Sequence, residues 1–160
     1  METVTTLTRL MPKLVPHGSG RFGDVGDHRG YTLLSAADTG GAIVMFSMEA
    51  DLHGGVPPHI HKREDEIFYI LSGNFMFWVG EEAMATAAGD TVFAPRDIVH
   101  SWRCTSPEGG KAIVLLSPGA NFEKYIFAVA EAGLSPNDPA SIQRMVALSE
   151  HYGIEFLPPK

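Results

Sequence analysis

The sequence predicts an all-β domain, a barrel or sandwich, followed by a helical segment. Three observations predict it. Seven or more short apolar runs of strand length follow one another at close, regular spacing. Glycine- and Asp/Asn-containing turn signals separate them. From Asn121 onward the apolar period lengthens to that of a helix.

The elements follow in order. Residues 1–19 mix Thr, Leu and Pro and suit an edge strand or an arm reaching a partner subunit. Gly18 to Gly30 is glycine-dense and reads as turns. Tyr31 to Ala36 is a short strand, and Asp38-Thr39-Gly40-Gly41 is a hairpin-type turn. Ala42 to Asp51 is a longer strand with Val44, Phe46 and Met48 on one face, expected to be covered on both sides. Further strands are expected at Glu66–Leu71, Phe75–Val79, Ala83–Ala87, Thr91–Ala94, Val99–Arg103 and Lys111–Leu116. In NFEKYIFAVAEAG, Phe122, Ile126 and Val129 form one stripe, Tyr125 adjoins it, and Gly133 is the stop. A second helix starts at Asp138-Pro139, an N-cap followed by proline at the first helical position. It carries Ile142, Met145, Val146 and Ser149 on one stripe and ends at Gly153.

Composition narrows the function classes. A chain of 160 residues suits one domain with a buried core. The formal net charge of -7 argues against a nucleic-acid partner and a basic membrane patch. A single cysteine, Cys104, excludes an intramolecular disulfide and suits a reducing cytosol. No apolar run reaches the roughly 18 residues of a membrane helix, and the N-terminus lacks a signal-type apolar stretch. A cytoplasmic protein is expected.

One stretch, GGVPPHIHKREDEIFYILSG from Gly54 to Gly73, concentrates the chemistry. On a strand, His59 and His61 point to the same face, with Ile60 opposite. Lys62-Arg63-Glu64-Asp65 reads as a solvated charged turn, after which Glu66 opens a strand. An adjacent antiparallel strand is expected to bring Glu66 beside the histidine pair. A second stretch, GDTVFAPRDIVHSWRC from Gly89 to Cys104, adds His100. Three imidazoles and a carboxylate suit one divalent transition-metal ion: Fe, Mn, Co, Ni, Cu or Zn. His17, His28, His53 and His151 have no partner spacing and are expected to face solvent.

These residues resemble the two sequence motifs of the cupin superfamily. Gly54, His59, His61, Glu66 and Gly73 match the first motif, with a glycine-to-histidine gap one residue short. Gly89, Pro95 and His100 match the second; Asp97 stands in the place of its glycine and Cys104 in that of its asparagine. Fifteen residues separate Gly73 from Gly89, similar to small single-domain cupins, and PPHIHKREDEIFYILSGNFMFWVG resembles those labelled quercetin-dioxygenase-like.

The resemblance implies a cupin jelly-roll β-barrel: one domain over 1–160, a barrel core of about 20–117, and helices of about 121–153 packed outside. It implies that His59, His61, Glu66 and His100 bind one metal and leave two octahedral positions open. It also implies a homodimer, with a small molecule as the other partner. The implied activity is a dioxygenase acting on a small aromatic, flavonol-like or enolisable substrate, with Glu66 also serving as catalytic base. Alternatives are a redox-neutral isomerase, cyclase or lyase, and a non-catalytic binding protein. Strand alternation offers Phe46, Met48, Phe68, Phe75, Phe77 and Trp102 as an apolar substrate pocket or as core. Cys104 shares the alternation of Trp102 and is expected to be a buried, inert thiol.

Overall fold

The computed structural model describes residues 9–134 and 138–157. The first eight residues of the proposed N-terminal arm lie outside them. Among the described residues, eleven strands form two antiparallel sheets. They are β1 (Phe22–Asp24), β2 (His28–Leu34), β3 (Val44–Ala50), β4 (Gly55–His61), β5 (Asp65–Ser72) and β6 (Phe75–Val79), then β7 (Glu82–Thr86), β8 (Thr91–Ala94), β9 (His100–Cys104), β10 (Gly110–Ser117) and β11 (Ile154–Phe156). The six-stranded sheet runs β1-β2-β3-β10-β5-β8, and the five-stranded sheet β11-β4-β9-β6-β7. The sheets face each other as a jelly-roll sandwich rather than closing into one continuous barrel.

Alternation decides what lies between the sheets. On β5, Glu66, Phe68 and Ile70 are buried while Tyr69 and Leu71 are exposed. On β9, His100, Trp102 and Cys104 are buried; on β6, Phe75 and Phe77 are. Phe75 pairs with Cys104 and Phe77 with Trp102 in register, so one apolar layer spans both strands. Cys104 sits in that layer as a fully buried small residue beside Phe75.

Helices α1 (Ala120–Glu131) and α2 (Pro139–His151) follow the sandwich. Asp138 caps α2 by accepting from the Ala140 N–H at 3.1 Å, with Pro139 next. Tyr125, Val129 and Leu134 pack with Val25 and Ile154 into a second apolar cluster that fastens the helices to the sandwich. No described helix is long and apolar enough to cross a membrane.

Three local expectations change. The glycine-dense stretch after Gly18 is not all turn: it contains β1 and the start of β2, whose backbones pair from Phe22↔Tyr31 to Asp24↔Arg29. Short polar strands with glycine at Gly23 and Gly30 carry no alternating signal. The connection from β2 to β3 is a 3-10 turn at Ala37–Thr39 rather than a tight hairpin. And β11 follows α2, adding itself to β4 with Ile154 opposite His61 and Phe156 opposite His59.

Candidate metal centre

β4 places His59 and His61 on its inward face, and β9 runs antiparallel beside it with His100 directly opposite His59. Glu66 does not come from a neighbouring strand as expected. It lies on β5, hydrogen-bonded between β10 and β8 in the other sheet, and reaches the histidines across the interior. Two sheets therefore build the site. All four side chains are buried, and one ligand atom from each lies within 4.8 Å of the others. The Glu66 carboxylate Oε2 is 3.1 Å from His100 Nε2 and 3.8 Å from His61 Nε2.

The outer nitrogens settle the tautomers. His59 Nδ1 donates to the Pro57 carbonyl at 2.9 Å, and His100 Nδ1 to the Ile98 carbonyl at 3.0 Å. A carbonyl only accepts, so these protons sit on Nδ1. His61 Nδ1 faces the Glu64 carboxylate at 3.4 Å, which also only accepts. The three Nε2 atoms are thus directed at Glu66 with the tautomer that a metal ligand requires. The donor set fits a divalent transition ion: three imidazole nitrogens and one carboxylate oxygen, buried and converging.

Without an ion, the four groups are coupled electrostatically. Burial pushes His59 down to about 3, with the neighbouring histidines adding to the effect, so its ring stays neutral. Burial works to raise Glu66, but the hydrogen bond from His100 and the histidine charges outweigh it, and the carboxyl lies below its ordinary range. Burial lowers His100, and the Glu66 carboxylate more than reverses that, leaving it raised.

The solvated-turn reading of Lys62–Asp65 holds for Lys62 and Arg63 but not for Glu64, which is 1% exposed. Glu64 accepts from Asn121 Nδ2 at 2.7 Å through Oε1 while Oε2 meets His61. The Asn121 amide also donates to the Tyr152 carbonyl at 2.6 Å. A chain of contacts therefore runs from a ligand through a buried carboxylate to the start of α1 and the end of α2. Asp97, in the place of the motif glycine, takes the left-handed conformation at φ 65° and donates its N–H to the His61 carbonyl at 2.8 Å. The turn geometry and its tie to β4 are kept without glycine.

A cavity of about 660 Å³ reaches His59, His61 and Glu66. Among the predicted pocket residues, Phe46, Met48, Phe68 and Trp102 line it. Phe75 and Phe77 lie in the packed layer behind, each 1% exposed. The helices supply a wall that the sequence reading did not include, notably Phe122, Tyr125, Ile126 and Met145. His28, expected in solvent, is half-buried and also lines the cavity, whereas His17, His53 and His151 are exposed. The signal that could have found His28 was its parity with Thr32 on β2, had that strand been recognised from residue 28.

A two-sheet jelly roll enclosing three histidines and a glutamate defines a metal-binding cupin. The family model described as "Cupin domain" matches residues 46–116. The chain is similar to quercetin 2,3-dioxygenase of Bacillus subtilis, 25% identical over 136 residues, which is 83% of this chain and 40% of that protein. It is 33% identical over 70 residues to quercetin 2,3-dioxygenase of Aspergillus japonicus, covering 41% of this chain and 20% of that one. The chain thus spans less than half the length of these curated relatives. The solved structure of KdgF from a Halomonas species matches with a TM-score of 0.63 at 20% identity, over 71% of this chain and 99% of that one, and shows the same fold.

Proposed function

We propose that the protein is a metal-dependent dioxygenase acting on a small aromatic, flavonol-like or enolisable substrate. The observation that carries this reading is the apolar cavity of about 660 Å³ leading to His59, His61 and Glu66. Its size falls in the usual range for small-molecule sites, and a flat aromatic is the shape that Phe46, Phe68 and Trp102 accommodate. The two similar proteins named quercetin 2,3-dioxygenase support the same class.

The divalent ion, when bound, supplies Lewis-acid charge and, for a redox-active metal, electron transfer to dioxygen. The chain supplies the rest. His59, His61, His100 and Glu66 hold the ion. Glu66, deprotonated at neutral pH, takes the proton of the substrate hydroxyl on its carboxylate oxygen. Phe46, Met48, Phe68 and Trp102 orient the ring and exclude water. Burying one aromatic ring system of about 150–250 Å² contributes on the order of 4–6 kcal/mol before binding costs.

The test is oxygen uptake by protein reconstituted in turn with Fe, Mn, Ni, Co, Cu and Zn, offered flavonols and β-diketones. Oxygen consumption that needs both metal and substrate, and is lost in Glu66→Gln with metal retained, is expected. Oxygen-independent turnover would replace this reading with a redox-neutral isomerase, cyclase or lyase. Tight binding without turnover under every metal would make it a binding protein. We also propose a homodimer through the outer face of the larger sheet, where Tyr69, Leu71 and Phe93 are exposed beside the edge strand β8. Sedimentation velocity of the protein and of Phe93→Asp decides it: a monomer in both removes the dimer.

A further inference from the structure

The cavity wall carries a polar group that the metal chemistry does not use. His28 opens β2 and shares the inward parity of Thr32, which is buried. Its side chain is 16% exposed and lines the cavity. His28 Nδ1 lies 2.7 Å from Asp27 Oδ1. The other carboxylate oxygen of Asp27 accepts from the Gly55 N–H at 3.4 Å, which ties the pair to β4.

A carboxylate only accepts, so the neutral imidazole carries its proton on Nδ1 and presents a lone pair at Nε2. No described residue hydrogen-bonds to that Nε2, and no buried side-chain nitrogen or oxygen lacks a partner. Nε2 is therefore an accessible atom on a residue that lines the cavity. Tyr125 and Trp102 also bring a hydroxyl and an indole N–H to this wall, whereas its other polar side chains outside the metal centre are engaged. Arg21 pairs with Glu131, Arg29 with Asp51, and Ser47 bonds to the backbone of Tyr31.

The position of His28 is set by Trp102. The two rings meet edge to face with centroids 5.2 Å apart. Trp102 lies two residues along β9 from the ligand His100, a rise of about 7 Å. A molecule lying along Trp102 with one end at the ligands thus brings its other end to His28.

We propose that His28, oriented by Asp27, is a second anchor of the substrate site and accepts a hydrogen bond from a hydroxyl at the end remote from the metal. The inference rests on the aromatic-substrate reading above and sharpens it. The substrate class is an aromatic with metal-binding oxygens at one end and a hydroxyl on a distal ring. His28 determines specificity and takes no part in bond making.

The test is calorimetric titration under argon, which separates binding from turnover. The probes are quercetin and galangin, flavonols that differ by the two hydroxyls of the distal ring. Metal-loaded wild type is expected to bind quercetin about tenfold more tightly than galangin, the worth of one buried hydrogen bond. His28→Leu is expected to abolish that preference by weakening quercetin alone, with bound metal unchanged. His28→Gln, which keeps a hydrogen-bonding atom near the Nε2 position, is expected to restore part of it. A preference that survives in His28→Leu overturns the anchor and leaves the aromatic class standing. Loss of metal from His28→Leu overturns it too, because the residue would then act through the ligands. Failure of wild type to bind either flavonol overturns both readings together.

Discussion

The two sides of the sandwich are built differently. On the side of β7 and β8 the sheets meet directly: Phe75, Phe77, Ile70 and Val92 are each 3% exposed or less, and the rings of Phe68 and Phe77 lie 4.9 Å apart. On the side of β1, β2, β4 and β11 the gap between the sheets is bridged by α1 and α2 and holds the cavity. The ligands straddle the boundary. His59 and His61 come from the open side, His100 from the central strand β9, and Glu66 from β5 beside the closed edge. Direct packing on one side thus fixes the sheet separation that the ligand distances need. The helical wall leaves room for a substrate on the other.

The sharpest way to break this arrangement is to remove a ligand. His61→Ala is expected to lower metal affinity more than 100-fold, about 2.7 kcal/mol or more, and elemental analysis after dialysis measures it. The next effect separates the two sides. Phe77→Ala, on the closed side, is expected to cost about 3–5 kcal/mol in urea unfolding. Met145→Ala, on the helical wall, is expected to cost less than about 2 kcal/mol while changing ligand affinity more than Phe77→Ala does. A reversed order would show that the helices and not the closed side hold the sheets. Third, Glu64→Gln is expected to weaken metal binding about 10–100-fold by loosening His61, read by competition with a chelator.

The smallest effect per unit change is that of pH on the metal-free protein. Folding lowers His59 from 6.5 to about 3. The unfolded chain therefore takes up this proton below pH 6.5 while the folded chain does not. Stability falls as pH drops through that window, by at most about 1.4 kcal/mol per pH unit for one proton. Glu66, lowered on folding, adds a loss as pH falls below its ordinary 4.5. The raised His100 works the other way: its contribution is present below 6.5 and is lost as pH rises through its folded value. Thermal midpoints measured from pH 7 to 4 are expected to fall less steeply in His59→Gln.

Much of this was legible because it is local. Alternation from Ala42 to Leu116 located most strands from residue 44 onward, and His59, His61, Glu66 and His100 could be named from spacing alone. What spacing could not reveal was the partner of each element. Glu66 follows His61 by five residues, yet the chain crosses between sheets within that interval. Glu64 stands in a charged run and looks solvated, but Asn121, far along the chain, encloses it. β11 is three residues long and is a strand only because β4 offers an open edge. His28 reads as solvent-facing because the polar, glycine-broken start of β2 hides its alternation. In each case a distant segment supplies the burial, and no local pattern encodes it.

The late position of β11 also bears on how the protein is made. On the ribosome, the strand bearing His59 and His61 emerges early, but its outer edge stays unpaired until both helices and β11 have been synthesised. Until then the nascent chain presents a bare strand edge, the kind that recruits strands of other molecules. Glu64 meanwhile waits for Asn121 to enclose it. The surroundings of the ligand set are therefore completed only by the last segments of the chain. Chains stalled before β11 would be both poor at retaining metal and prone to aggregate.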